Sequence, residues 1–360
     1  MTVLFFSKSF YPNIGGVEKH LLEVSIRLIK KGFKVIVITE NINVAQNKGY
    51  KSEALGEKLV NDINGIEIIR IAVGKEGRLK KFRIWLGLLR HLGTIIDADI
   101  VHCHDIFFWY LPFRFIFPFK PLYITFHGYE GNSIPTKRAI LMHKIAEKLS
   151  WGNICVGDYL QKWYGTKPTI VTYGAISIPR HIRKEAEIKL IRNVLYIGRL
   201  EEEAGIMTYL RALKILKYKK IDLNLTVLGD GTQGKEAEDY VIRNKLNADF
   251  KGFVKDVYKY LPDSDIVFSG RYLGTMEAFV FKKFVFAVYN NAIKRDCFAM
   301  APYRNFIVLE KSPNKLAEQI IKYIKNPEII KDKTDKAYKW VEKQTWDKMV
   351  YNYLTLWKVQ

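Results

Sequence analysis

The sequence predicts an α/β protein made of two doubly wound domains, each built on a parallel sheet. Short apolar segments such as Val3–Phe6 and Leu122–Phe126 recur along the chain, and continuous apolar character is typical of strands buried on both faces. Segments with helical spacing of apolar residues alternate with these strands, which indicates repeated strand–helix–strand units. With 360 residues, the chain is long enough for two domains of ordinary size.

The first domain begins with a strand, a loop rich in proline and glycine, and a helix. The strand Val3–Phe6 precedes the loop SFYPNIGG, after which Val17, Leu21, Val24 and Leu28 recur at helical spacing. A β-branched strand follows, so these elements form one strand–helix–strand unit. The strands predicted after the first helix are 35–39, 66–71, 100–102, 122–126, 153–156 and 169–172.

The alternation lapses over residues 175–192, a basic stretch without a clear period, which we interpret as the connection between the domains. It resumes with a helix over 206–216 and with strands at 194–197, 223–228, 250–253, 266–268, 284–288 and 306–309. Ser312 followed by Pro313 predicts another helix start, with the serine as N-cap. The predicted domains are 1–178 and 179–340, and residues 341–360 are expected to form an aromatic helix.

The charge balance is strongly positive. Lysine and arginine (58) outnumber aspartate and glutamate (37), and the formal net charge of +21 favours nucleic acids, acidic lipid headgroups or phosphorylated small molecules as partners. Nucleic acid is the least favoured of these, because no nucleic-acid-binding module is recognisable. The three cysteines form neither a C-x-x-C pair nor a zinc pattern, so we predict no disulfide framework.

Neither a secretory signal nor a membrane-spanning helix is expected. The apolar stretch near the start is shorter than the ~7–15 residues of a signal core. No apolar run approaches the ~20 residues that span a bilayer. We therefore predict a cytoplasmic protein that is peripheral on the membrane.

Candidate site residues follow the predicted strands, because ligands of open parallel sheets bind at the carboxyl ends of the strands. Gly15-Gly16 opens the first helix, where glycine lets the backbone approach a phosphate or sugar; the alternative is a plain tight turn. Arg199, after Gly198, either binds a phosphate or neutralises Glu201–Glu203. Gly229-Asp230-Gly231 forms either a ligand-approach loop or a simple turn.

Histidines follow two strands of the first domain. His102, His104 and Asp105 end one strand, and His127 follows the next. We take His102 and His104 to alternate across the strand, so that His104 rather than both faces the site. The ligand spacing is not convincing for a metal, and no metal site is predicted. His127 is the better candidate for a polar contact to substrate, although it is equally typical of a satisfied histidine at a strand end.

Glu277 is the remaining candidate. It lies near a helix start, where a carboxylate either accepts hydrogen bonds from two sugar hydroxyls or complements the helix dipole. The chain has no Ser-His-Asp order, nucleophile elbow or P-loop, so hydrolase and kinase activities lack support.

Eight segments occur in an order that resembles the GT-B-fold glycosyltransferases of the large retaining family 4. They are YPNIGGVEKHLLEVSIRLIKKGFKVIVIT, ADIVHCHD, ITFHGYEG, VLYIGRLEEEAG, LTVLGDGTQ, FKGFV, SDIVFSGRYLGTMEAF and SPNKLAEQIIKYIKNPE. The resemblance covers nearly the whole chain. It implies two Rossmann-like domains that face across a cleft, with the helix 341–360 returning to the first domain. It implies a UDP- or GDP-linked sugar as donor. It also implies transfer with retention of anomeric configuration and without a metal or other cofactor.

The resemblance further implies a role for each candidate residue. Gly15 and Gly16 would lie against the donor's distal phosphate and sugar, and His127 would contact the transferred sugar near the reacting carbon. Arg199 would hold the diphosphate and stabilise charge on the leaving nucleotide. Further donor contacts would come from Gly198, Gly229, Gly231, the backbone of Phe253 and Val254, and Glu277, which would bind the ribose hydroxyls.

Three features depart from the family pattern, one of which is the segment AFVFKKFVFA after Glu277, where the family has glycine and proline. Ala204 stands where the family has the lysine of E-x-K-G, and Ser269 stands where the first of two glutamates is expected. One diphosphate cation and one sugar-binding carboxylate are thus missing, and Arg271, Lys282 or Lys283 are the candidate replacements for the cation. These departures leave open a second function, a non-catalytic GT-B protein that binds nucleotide or glycan as part of a transferase complex.

Two segments of the first domain suit an anionic membrane surface. Residues 78–92 alternate cations, beginning with Arg78, with apolar side chains at helical spacing, and residues 107–124 hold nine aromatics in eighteen positions. The alternative is that the aromatics form core and the cations a solvated face. If the membrane interpretation holds, the acceptor is lipid-linked. The primary prediction is therefore a transferase that moves a hexose from a nucleotide sugar to a lipid-linked or glycan acceptor.

Overall fold

The structure is a computed structural model. It describes residues 1–13, 15–41, 62–74, 77, 79–128, 134–179 and 191–359. It separates into two compact units. The first comprises Met1–Glu130, Pro135–Thr172 and Trp346–Gln360, and the second comprises Gly131–Ile134 and Tyr173–Thr345. The chain changes unit near the boundaries predicted at 178 and 340, while most of the connection predicted at 175–192 lies outside the described residues.

The first unit is built on an eight-stranded sheet. Its strands are β1 Thr2–Ser7, β2 Lys34–Glu40, β3 Asp62–Ile63, β4 Ile66–Ile71, β5 Ile100–His104, β6 Leu122–Phe126, β7 Gly152–Val156 and β8 Ile170–Thr172. They lie in the order β3-β4-β2-β1-β5-β6-β7-β8, and every neighbouring pair except β3 and β4 is parallel. The helices of this unit are α1 Gly16–Lys30, α2 Lys80–Leu89, α3 Leu92–Asp97, α4 Phe107–Ile116, α5 Lys137–Leu149, α6 Tyr159–Tyr164 and α13 Trp346–Trp357.

The second unit has a six-stranded sheet in which every neighbouring pair is parallel. Its strands are β9 Asn193–Ile197, β10 Asn224–Leu228, β11 Ala248–Gly252, β12 Ile266–Ser269, β13 Phe284–Val288 and β14 Ile307–Glu310, in the order β11-β10-β9-β12-β13-β14. The helices are α7 Ile206–Tyr218, α8 Gly234–Arg243, α9 Tyr272–Val280, α10 Ala292–Ala299, α11 Pro313–Ile324 and α12 Pro327–Val341, with a 3₁₀ turn at Glu202–Ala204. These two doubly wound α/β units confirm the predicted fold class.

Alternate residues of the strand β9 face two separate helical layers. Val194 and Tyr196 pack in a core with α7 and α11, whereas Leu195 and Ile197 pack in a second core with α9 and α12. Because both faces are covered, the strand is apolar from Val194 to Ile197, which is why its sequence shows a run rather than an alternation. The helix start predicted at Ser312-Pro313 is confirmed, since Ser312 Oγ accepts a hydrogen bond from the Lys315 amide.

Two strands of the structure depart from the prediction in an informative way. The strand predicted at 250–253 ends at Gly252, whose left-handed φ of 66° turns the chain before Phe253. The short antiparallel strand β3 was not predicted. Its turn is Asn64-Gly65, with φ of 53° and 81°, and this residue pair is the usual signal of a two-residue hairpin.

In the described parts of the chain, no helix combines the length and the apolar character that crossing a bilayer requires.

The carboxyl-terminal helix α13 belongs to the first unit and packs against α1 and the strands β7 and β8. It is tied to the sheet by a buried chain of polar groups. Trp357 Nε1 donates to His102 Nδ1 over 3.0 Å, and His102 Nε2 lies 2.8 Å from Thr125 Oγ1. The Tyr353 hydroxyl then joins Thr125 Oγ1 at 3.1 Å to His20 Nε2 at 2.8 Å.

The direction of this chain follows from the indole, which can only donate. His102 Nδ1 therefore carries no proton, and neutral His102 donates from Nε2 to the Thr125 hydroxyl. The Thr125 hydroxyl donates in turn to Tyr353, and Tyr353 donates to His20 Nε2. The opposite direction would leave the Thr125 hydrogen without an acceptor in the chain, so one arrangement of protons satisfies all of these groups.

Burial keeps these histidines neutral. It lowers the pKa of His20 to about 3, and it is the largest cause that lowers the pKa of His102, His104 and His127 well below the usual range. The neighbouring histidines act in the same direction on the last three, because a second positive charge nearby disfavours protonation.

We predict that Tyr353→Phe lowers the free energy of unfolding by ~1–3 kcal/mol, because it leaves the Thr125 hydroxyl and His20 Nε2 without their buried partner. Urea denaturation measures this change. The matched control is Tyr351→Phe on the same helix, where the side chain is 67% exposed, and there the change should stay within ~0.5 kcal/mol. Equal losses in the two variants would contradict the buried chain.

We also predict that stability falls as the pH drops below the pKa of about 6.5 for histidine in an unfolded chain. Below that pH the histidines bind protons in the unfolded chain but stay neutral in the folded chain, so acid favours unfolding. The full stability is present only above about pH 7. Each histidine that stays neutral contributes about 1 kcal/mol per pH unit. A free energy of unfolding that is flat between about pH 7 and about pH 5 would disagree with this account.

Candidate functional site

Gly15 and Gly16 lie where the loop after β1 meets the helix α1. Gly15 is the N-cap, with extended backbone and no side-chain cap, and α1 begins at Gly16. A Cβ atom on Gly16 would have no neighbour within 4 Å, and on Gly15 it would meet only the flexible carboxylate of Glu18. These glycines are therefore not required by backbone conformation. They leave open space in front of the first amides of the helix.

His127 follows β6 and is half-buried. Its Nε2 lies 2.7 Å from His104 Nδ1, with the two rings stacked at 5.0 Å between centroids. His20 of α1 meets the His127 ring edge-on at 4.8 Å. The His127 amide donates to Asp105 Oδ1 over 2.8 Å, and Asp105 adopts a left-handed φ of 61° to receive it. His127 is thus held on both its backbone and its ring.

The proton positions in the His104–His127 pair follow from one unsatisfied atom. His104 Nε2 is buried without a hydrogen-bond partner. A bare acceptor there is less costly than an orphaned N–H, so the proton of His104 lies on Nδ1 and is donated to His127 Nε2. Neutral His127 then carries its own proton on Nδ1, which is the atom with which it can donate to a ligand.

One expectation about the histidines was wrong. The His102 and His104 rings lie 5.3 Å apart on the same face of the sheet, because side chains two residues apart on a strand point the same way. Across the described ranges, no group of three or more His, Cys, Asp or Glu side chains is arranged to hold a metal. The nitrogens of His104 and His127 are themselves within hydrogen-bond distance, which leaves no room for an ion between them.

In the second unit, the loops after β9 and β10 are in direct backbone contact. A Cβ atom on Gly229, whose φ is 153°, would lie 1.8 Å from the carbonyl oxygen of Gly198. A Cβ atom on Gly231 would lie 2.5 Å from the Leu200 carbonyl oxygen. The Gly229 amide donates to the Gly252 carbonyl and so brings the loop before Phe253 alongside. At Gly229 and Gly231, glycine is therefore required by close approach as well as by a positive φ, of 153° and 158° respectively, that other residues rarely adopt.

Arg199 projects from this pair of loops and is exposed. Two of the three carboxylates expected as its alternative partners are engaged elsewhere. Glu201 accepts hydrogen bonds from the amide and hydroxyl of Thr232, and Glu203 pairs with Arg271 at 2.5 Å. No ion pair within the described part of the chain includes Arg199. Its guanidinium therefore remains available to an anion at the carboxyl edge of the sheet.

The other donor-site candidates lie on the same edge. Glu277 is in α9, which follows β12, and its side chain is 5% exposed. Phe253 is largely exposed and Val254 is half-buried, directly after β11. Ser269, the last residue of β12, is buried, and its hydroxyl is hydrogen-bonded to the Arg271 carbonyl and to Thr275, so it is not exposed at this edge.

The three candidate replacement cations lie at different edges of the second sheet. Lys282 pairs with Asp335 and Lys283 donates to the Pro262 carbonyl, and both precede β13 at the amino edge of the sheet. Arg271 follows β12 at the carboxyl edge. A further lysine at that edge, Lys294 in α10, was missed. Its position just after β13 was the signal that could have found it, because the residues after each strand are where ligands bind.

Comparison with known proteins gives two family matches in adjoining ranges. The model of Glycosyltransferase Family 4 matches residues 14–176, and that of Glycosyl transferases group 1 matches residues 178–340. A sucrose-phosphate synthase structure from Thermosynechococcus elongatus superposes with a TM-score of 0.75 over 99% of this chain and 98% of that one, at 15% identity. At this identity the superposition shows the fold alone.

Two curated relatives are similar in sequence. The phosphatidylinositol N-acetylglucosaminyltransferase gpi3 subunit of Schizosaccharomyces pombe is 31% identical over 98 residues, which is 27% of this chain and only 20% of that protein. An uncharacterized glycosyltransferase of Methanocaldococcus jannaschii is 21% identical over 95% of this chain and 93% of its own length. With both family matches and the superposition, the chain belongs to the GT-B glycosyltransferases, with a family 4 amino-terminal part and a group 1 carboxyl-terminal part.

Proposed function

We propose that this glycosyltransferase moves a hexose from a UDP- or GDP-linked sugar to a lipid-linked or glycan acceptor, with retention and without a metal ion. The observation that carries the proposal is Arg199. Its guanidinium is exposed, makes no ion pair within the described residues, and projects from two glycine loops that present bare backbone. A planar guanidinium of this kind matches a phosphate through two parallel hydrogen bonds.

In this proposal the second unit binds the nucleotide. Arg199 holds the diphosphate and neutralises the charge that develops as the nucleotide leaves. Gly198, Gly229 and Gly231 admit the phosphates and nucleoside close to the backbone, and the largely buried Glu277 accepts hydrogen bonds from the ribose. Phe253 and Val254 contact the base.

The first unit contributes to the sugar. His127 donates from Nδ1 to a hydroxyl of the transferred hexose, since Nε2 is engaged by His104. Gly15 and Gly16 leave space for the distal phosphate and sugar in front of α1. A neutral His127 suits this role, because it donates a hydrogen bond without placing a positive charge beside the reacting carbon.

The aromatic segment 107–124 divides between core and surface. Trp109, Tyr110 and Phe113 are fully buried, whereas Phe115 is 70% exposed and Phe119 is 87% exposed. Other large apolar side chains exposed on this part of the unit are Leu79, Phe82, Leu86, Leu89, Ile96 and Ile116. We call this set, with Phe115 and Phe119, the apolar patch. A patch of this extent is typical of an interaction site.

Contacts join the elements that carry the apolar patch. The Trp85 indole donates to the Phe108 carbonyl, so α2 packs beside α4. Lys120 Nζ donates to the Ile96 carbonyl, so the segment after α4 contacts α3. We propose that the patch docks on an anionic membrane, which makes the protein peripheral there and favours a lipid-linked acceptor. The name of the gpi3 relative also specifies a lipid acceptor for that protein. Arg78, part of the predicted basic segment, lies outside the described residues.

We predict that Arg199→Ala lowers kcat by about 10²–10³-fold, because the variant lacks a charge-stabilising donor to the leaving group. The assay measures free nucleotide diphosphate released from UDP- and GDP-hexoses, with a membrane extract that supplies the acceptor. Arg192→Ala is the matched control. It removes an exposed arginine just before the same strand β9, but at the amino edge, and should leave the rate unchanged.

Wild-type turnover with equal rates in the two variants would contradict the role of Arg199. Donor binding by the wild type without nucleotide release would instead support the alternative function, a non-catalytic subunit of a transferase complex. The departures at Ala204 and Ser269 are the observations that favour this alternative.

We predict that the double variant Phe115→Ser/Phe119→Ser binds at least about tenfold more weakly to vesicles that contain phosphatidylglycerol, because two exposed rings no longer insert into the interface. Co-sedimentation measures binding. Ile242→Ser, at a residue that is 74% exposed in the second unit, serves as control and should bind as the wild type does. Wild-type binding that is unaffected by salt, or equal on pure phosphatidylcholine, would count against an anionic surface.

A further inference from the structure

Lys294 is a buried lysine at the carboxyl edge of the second sheet. It lies in the first turn of α10, where Asn291 Oδ1 accepts from its amide and fixes the helix start. The residue is only 3% exposed. Its Nζ donates to the backbone carbonyl of Glu203, and this is its one hydrogen bond from Nζ to a described residue. An ammonium has three N–H donors, so the group is under-satisfied.

A second cation reaches the same turn from the neighbouring strand. Arg271 pairs with the Glu203 carboxylate at 2.5 Å, and about half of its side chain is exposed. Asn290 donates to the Glu202 carbonyl from the other side. The turn Glu202–Ala204 is therefore held by the residues that follow β12 and β13. With two cations around one carboxylate, the cluster of Lys294, Arg271 and Glu203 keeps a net positive charge.

The sheet order aligns three cations at one edge. The strands β9, β12 and β13 are neighbours, and Arg199, Arg271 and Lys294 follow them in that order. In a parallel sheet these positions share the carboxyl edge, where ligands bind. The Ala204 side chain is buried against Gly270, since a Cβ atom on that glycine would lie 3.1 Å from the Ala204 methyl. Positive charge thus reaches this turn from residues 271 and 294 and not from position 204.

The pKa of Lys294 is consistent with an anion-binding site. Burial, and after it the nearby charge of Arg271, lowers the pKa of Lys294 to about 8, although Cys297 and Glu203 act in the opposite direction. At neutral pH the ammonium is still mainly protonated. A bound dianion would stabilise the charged form and raise this pKa again.

We propose that Lys294, with Arg271, binds the diphosphate of the donor beside Arg199. The proposal rests on the nucleotide-sugar donor proposed above and identifies further donor-binding residues in this chain. Lys294 contributes the desolvated positive charge and Arg271 the exposed guanidinium. Glu203 positions both, through its carbonyl and its carboxylate.

The test is calorimetric titration of the full chain with UDP and GDP, and with UMP and GMP. Lys294→Met should weaken diphosphate binding by about tenfold and leave monophosphate binding nearly unchanged, because the ammonium that it removes binds the second phosphate. Lys282→Met is the matched control, since Lys282 pairs with Asp335 at the amino edge. This control should bind all four nucleotides as the wild type does.

Two further readouts separate binding from a merely structural role. Near pH 8, wild-type binding of the diphosphate should take up protons, which buffers of different ionisation enthalpy reveal, and Lys294→Met should not. A thermal melt of Lys294→Met should show equal or higher stability, because a buried charge is replaced by an apolar side chain of similar volume. The wild-type proton uptake needs no variant and holds even if Lys294→Met fails to fold.

The outcomes distinguish the two proposals. If the wild type binds neither UDP nor GDP, the proposed donor is wrong and the inference falls with it. If the wild type binds a diphosphate without proton uptake, or if Lys294→Met binds it equally well, the inference alone is overturned. A variant that loses stability but keeps its diphosphate affinity would likewise assign Lys294 a structural role.

Discussion

The close approach of two loops at the carboxyl edge of the second sheet is the constraint on which the donor site depends. Gly229 and Gly231 bring their backbone against the Gly198 and Leu200 carbonyls, and no side chain larger than hydrogen fits there. The loops consequently present backbone where they meet and side chains only where they diverge. Arg199 is exposed for that reason, and the parallel register of β9, β10 and β12 keeps the following residues on one edge.

The edge of the first unit is organised by side chains instead. Three histidines, His20, His102 and His104, pack with the aromatic rings of α13, and His127 stacks on His104. Burial lowers the pKa of all four and keeps them neutral. A neutral histidine has one donor and one acceptor, so each hydrogen bond fixes the next, from the Trp357 indole to His20. The terminal helix therefore determines which tautomers His102 and His20 adopt. Contacts with His104 and His20, both of which pack against α13, orient the ring of His127.

The sequence predicted what depends on local pattern. Leu122–Phe126 and Phe284–Val288 match the observed strands residue for residue, because buried strands are recognisable as apolar runs. The placement of the candidate glycines after strands was equally local. The sequence could not show that Lys294 is buried, since a lysine in a short helix is usually solvated and only tertiary packing places its ammonium under the Glu203 carbonyl. Composition also could not separate the buried from the exposed aromatic residues within 107–124. Phe113 and Phe119 are the same residue type, and only the tertiary structure buries the first and exposes the second.

The net charge of +21 is a poor guide to where anions bind. Lys80 pairs with Glu40, Arg83 donates to the Val73 carbonyl, and Lys120 donates to two carbonyls, so these cations of the predicted membrane segments serve the fold. Exposed charges that remain act through water, where two unit charges at about 4 Å interact by about 1 kcal/mol. The same pair interacts several times more strongly when it is shielded from solvent. The overall positive field therefore attracts anions to the protein. Selection of a diphosphate requires cations that the fold desolvates and leaves without a full set of hydrogen-bond partners, and Lys294 is one of them.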